Sequence, residues 1–75
     1  TVDKKIIPEL KVLYPTVEAI AMAKTVELQV ESTKTDTLTI VLMKFSKRPI
    51  EKEQEKISEW LKARVGAKKL KLIVE

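Results

Sequence analysis

Leu38-Thr39-Ile40-Val41-Leu42-Met43-Lys44-Phe45-Ser46, then Lys47-Arg48-Pro49, then residues 50–65, Gly66 and residues 69–74: this run decides the fold. Ile40 to Met43 are four consecutive apolar residues, which reads as a central strand covered on both faces. The next segment has the period of a helix, with Ile50, Ile57, Trp60, Leu61 and Val65 on one stripe. Glu51, Glu53 and Glu55 stand near its start, Lys62 and Arg64 near its end, and both placements suit the helix dipole. Gly66 supplies the left-handed residue that ends it. Leu70, Leu72 and Val74 then alternate with Lys71 and Ile73 as a last strand. A strand, a helical crossover and a strand predict one parallel pair.

Upstream, residues 3–14 predict a first helix, capped by Asp3, with Ile6, Leu10, Leu13 and Tyr14 on one side. Pro8 either kinks this helix or opens its regular part. Pro15 stops it by pushing Tyr14 towards extended geometry. Residues 17–30 predict a long strand carrying Ile20, Met22, Val26, Leu28 and Val30 on one face. Lys24 interrupts that face, and a bulge near residues 23–25 accounts for it. The other face carries Val17, Ala19, Ala21 and Ala23, then polar residues. The polar loop 31–37 makes the two strands a hairpin.

The predicted order is helix–strand–strand–helix–strand. This is an α+β sandwich with two helices on one face of a small mixed sheet, like a ferredoxin-like fold lacking its first strand. The expected core sets Leu10, Tyr14, Ile57, Trp60 and Leu61 against Ile20, Met22, Ile40 and Leu42. Seventy-five residues form a single domain. A chain this short buries only ~60–65% of its unfolded surface, so a partner chain is a natural source of extra stability. The start at Thr1 rather than Met reads as a domain excised from a longer protein.

The composition excludes much chemistry. There is no histidine, no cysteine and one glycine. The usual general base at neutral pH, the thiolate nucleophile, the commonest zinc ligands and a glycine-rich phosphate loop are all missing. Glu51, Glu53, Glu55 and Glu59 alternate with Lys52 and Lys56 and read as a solvated helix face rather than a metal or acid–base site. Ser46 beside Lys44 and Lys47 satisfies a serine–lysine pairing in sequence only. No catalytic residue, cofactor or metal is therefore expected, and the chain reads as non-enzymatic.

The net charge is +4, from 15 basic and 11 acidic residues. Lys62, Arg64, Lys68, Lys69 and Lys71 form a stretch without an acidic residue and are the candidate anion-contact patch. The competing reading is helix-end matching and protection of an edge strand. Tyr14, Phe45 and Trp60 do not form an aromatic platform on the sheet, so strong nucleic-acid binding is not expected.

Tyr14-Pro15 before Val17-Glu18-Ala19-Ile20, the strand Thr39-Ile40-Val41-Leu42-Met43-Lys44-Phe45 leading into Glu51-Lys52-Glu53, and Trp60-Leu61-Lys62-Ala63-Arg64 together carry a resemblance. The chain resembles the soluble C-terminal segment of the bacterial "uncharacterised hydrophobic domain" family of multi-pass membrane proteins. The resemblance implies attachment to a membrane-embedded module in a bacterial inner membrane, and no catalytic residues. Three functions follow for comparison. The first is an interaction or regulatory domain that self-associates through the 17–30 edge or through the face of Val17, Ala19, Ala21 and Ala23. The second is a small nucleic-acid-binding module using the 62–71 stretch. The third is an enzyme subunit completed by another chain.

Overall fold

A computed structural model describes residues 4–75. The order is α1 (Ile6–Leu13), β1 (Val17–Leu28), β2 (Thr35–Phe45), α2 (Glu51–Val65) and β3 (Leu70–Val74). This is the expected α+β arrangement. The expected cap at Asp3 lies outside the described residues.

Pro8 sits in the first turn of α1, where its missing N–H has no helical acceptor to lose. The helix therefore runs through it. Tyr14 closes α1: its N–H donates to the Leu10 carbonyl at 2.7 Å, and Pro15 keeps it out of helical geometry. The second helix starts at Ile50, which is extended and caps without a side-chain bond. Gln54 Nε2 reaches back to the Pro49 carbonyl at 2.8 Å. At the far end Gly66 takes φ 68°, and the Ala67 N–H donates to the Lys62 carbonyl at 3.0 Å.

The sheet order is β1-β2-β3, antiparallel between the first two and parallel between the last two. In a ferredoxin-like sheet a further strand splits the parallel pair. Here β2 and β3 are direct neighbours, from Thr39 opposite Leu70 to Met43 opposite Val74. No slot for a missing strand remains between them. Just past β2, the Arg48 Nη1 donates to the Val74 carbonyl at 3.1 Å and ties the crossover loop to the end of β3.

Register assigns the two faces. Met22 lies opposite Val41 and Ile20 opposite Met43, while Leu72 and Val74 flank the same two residues from β3. Leu10 of α1 and Ile57 and Leu61 of α2 close over Val41, Met43 and Phe45, so both helices cover this one face. Four sequence expectations change. Ile40 and Leu42 do not face the helices: they stand opposite Ala23 and Ala21 on the other side. Ile50 leaves the α2 stripe and is 69% exposed. The register shift lies between Val17 and Ala19, not near Lys24, which pairs regularly with Thr39. Leu13 is exposed, and Tyr14 and Trp60 are half-buried rather than core, meeting edge to face with ring centroids 6.4 Å apart.

Beyond Thr39 the hairpin outruns its cover. β3 pairs only with residues 39–43, whereas β1 and β2 stay paired out to Leu28 and Thr35. Leu28 is 72% and Val30 98% exposed on this projecting ribbon.

Candidate self-association surface

Strand β1 is uncovered on two sides. It lies at the margin of the sheet, so among the described residues one row of its backbone groups has no strand beside it. Its second uncovered side is the face turned away from the helices, where Ala19, Ala21 and Ala23 are exposed. These alanines lie opposite Lys44, Leu42 and Ile40, and Ile73 follows Leu42 across β3. The result is an apolar patch with no helix over it among the described residues, bordered by Lys44, Lys71 and the acidic pair Glu27 and Asp36.

Val17 does not belong to that patch. The register shift beside it turns its side chain inward, and it is 8% exposed within the core. The alanines alone carry the expected surface. Leu38, Ile40 and Leu42 are the residues the sequence reading missed on it. Their signal was the hairpin itself, since pairing Ala21 with Leu42 fixes the parity of the whole run.

The basic stretch is divided among α2, the turn after it and β3. Arg64 is drawn onto α1, where its guanidinium grips the Glu9 carboxylate through Nε and Nη2, the shortest contact being 2.7 Å. This fork ties the two helices to each other. Lys69 Nζ contacts Glu27 at 2.5 Å across the open face. That hydrogen bond, with the charge of Glu27 behind it, raises the Lys69 pKa above its ordinary value. Lys71 lies on the open face opposite Ile40, while Lys62 ends α2 and Lys68 lies in the turn after it. Two of the five cations thus contact carboxylates, and the rest belong to different elements.

Glu51, Glu53, Glu55 and Glu59 are exposed on α2, and among the described residues no acidic group is arranged to hold a metal ion. A cleft of about 270 Å³ lies between Tyr14, Phe45, Arg48, Pro49 and Glu53. Tyr14 there is raised above its ordinary 10.0, first by burial and then by the negative charge of Glu53. A phenol that holds its proton more tightly is a weaker acid, so less of it is phenolate at neutral pH; Thr16 and Lys47 also line the cleft. Among the described residues no helix is long and apolar enough to cross a membrane.

No curated protein and no solved structure matches the chain. One family model matches residues 2–75, nearly the whole length. The chain belongs to that family, described as "Domain of unknown function (DUF8492)".

Proposed function

We propose that this domain is a non-enzymatic interaction module that associates with a second copy of itself. The observation that carries the reading is β1, open both along its outer edge and on its alanine face. A free strand edge of this length is a template for another strand, and soluble proteins normally blunt or cover it. An uncovered apolar face beside it adds area that water gives up on association. The small core makes this gain matter, because a chain of this size has little stability to spare.

The nucleic-acid reading is the less favoured one, because Arg64 and Lys69 of its basic stretch already contact Glu9 and Glu27. Phosphate binding needs cations gathered along one surface. The membrane setting is a separate proposal, resting on the sequence resemblance alone; hydropathy of the full-length gene product upstream of Thr1 tests it.

Dilution tests self-association residue by residue. Amide spectra recorded from about 1 mM down to about 10 µM should move for β1 and for the alanine face while α2 stays still. Concentration-independent amides throughout would contradict the proposal.

A further inference from the structure

We propose that two copies join through the open face of the sheet, face to face, with their β2 strands running in opposite directions. This rests on the self-association reading above and assigns it to one of the two open sides of β1. The edge is protected. Lys24 stands on it, and the register shift between Val17 and Ala19 breaks its regular course. A charged residue and a bulge are both devices that keep an edge from adding a strand. The face has no such protection on its two long strands. Ala21, Ala23 and Thr25 of β1 lie opposite Leu42, Ile40 and Leu38 of β2, and none of the six is charged. The alanines are exposed, and their small side chains let a second sheet approach closely. Ile73, 41% exposed, continues the patch onto β3.

Charge at the two ends of β2 fits a second copy as the occupant. Asp36 and Lys44 share the face of Leu38, Ile40 and Leu42, and both are exposed. Asp36 closes the patch towards the hairpin, beside Glu27, and Lys44 closes it at the far end. Lys69 contacts Glu27 and offsets one of the two anions, so the hairpin end stays acidic. Lys44 makes no ion pair among the described residues, Glu75 past β3 included. A patch with an anion at one end and a cation at the other complements itself when turned end for end. A two-fold axis in the plane of the interface, set across the strands, does this. It brings Asp36 of each copy towards Lys44 of the other. An axis along β2 instead sets Asp36 against Asp36 and Lys44 against Lys44. Lys71 lies on the outer strand, where its long chain carries the ammonium into water. From Leu38 to Lys44 the face measures roughly 14 by 20 Å, about 300 Å² in plan. A standard stable interface takes ~800 Å² from each partner, so this pair is weak and forms at high concentration.

Amide exchange separates face from edge. The Gln29 N–H donates to the Lys34 carbonyl, and the register runs unshifted from Leu28 to Ala19. The N–H groups of Met22 and Lys24 therefore turn away from β2. Face pairing leaves them in water, so they should exchange as fast at about 1 mM as at about 10 µM. Edge pairing would slow them. Ala21→Glu, at an exposed position, should keep its circular dichroism and move the monomer–dimer curve roughly tenfold higher in concentration, because it sets a charge within the interface. Lys24→Thr, which removes the protection of the edge, should leave the curve where it is. Asp36→Lys or Lys44→Asp should each weaken the pair roughly tenfold, because each sets two like charges against each other about the axis. The double exchange Asp36→Lys with Lys44→Asp should restore it, and failure to restore would overturn the strand direction. Slowed exchange at Met22 and Lys24 in the concentrated sample would overturn the face assignment. So would an Ala21→Glu chain that pairs as well as the parent. Each of these results leaves self-association standing, whereas a monomer at every concentration overturns both.

Discussion

Leu61 and Trp60 are neighbours on α2 with different weights. Leu61 is fully buried, whereas Trp60 keeps part of its ring in water and leans on Tyr14. Leu61→Ala should cost about 2–5 kcal/mol, a large-to-small change that leaves a cavity. Trp60→Ala should cost less, because solvent fills the space at the margin. Urea unfolding followed by circular dichroism separates them, and a larger loss for Trp60→Ala would contradict the packing. Tyr14 gives a second test. Its pKa is raised in the fold by burial and by Glu53. An acid that keeps its proton longer when folded stabilises fully below its unfolded pKa, and loses that contribution as pH rises through the folded value. Thermal stability should therefore fall above about pH 10, and Tyr14→Phe should flatten the fall. Part of it should survive, because Lys69 is also raised and loses its contact with Glu27 in the same alkaline direction. An unchanged alkaline profile in Tyr14→Phe would rule this out.

Elements were more legible than the faces they present. The helical period of residues 51–65, the stop at Gly66 and the alternation of residues 70–74 all mark their structures locally. Gly66→Ala should cost about 1–2 kcal/mol, the penalty of a Cβ at left-handed φ, since open space surrounds the position and no clash adds to it. A neutral substitution, measured by thermal melting, would show that the cap does not need this conformation. In contrast, Ile40-Val41-Leu42-Met43 carries no alternation, so nothing within it says which residues meet the helices. Hairpin register decides that, and register is a property of two strands. Lys24 suggested a bulge because a charge on an apolar face looks like an error of phase. Its position is regular, beyond the reach of the helices. Ile50 matched the α2 stripe by spacing but sits one residue before the helix, where spacing no longer implies a side. The projecting ribbon follows from the unequal lengths of β1, β2 and β3. Its amides, between residues 25 and 37, should exchange with solvent faster than those of residues 39–43, which lie between two strands. Equal protection would mean that something covers the ribbon.

At the scale of the whole molecule, two helices protect one side of a three-stranded sheet and leave the other side and the β1 edge in water. The candidate surface was half legible. Ala19, Ala21 and Ala23 stand out as a small-residue face, but Val17 was grouped with them because the shift beside it cannot be read from composition. The basic stretch was visible as charge, yet its dispersal depends on where Glu9 and Glu27 lie in three dimensions. The proposed role of β1 is to join two copies. Sedimentation equilibrium from about 10 µM to about 1 mM measures this association. The mass should rise from the 8.6 kDa of one chain to twice that value. A single-chain mass across the whole range would contradict it.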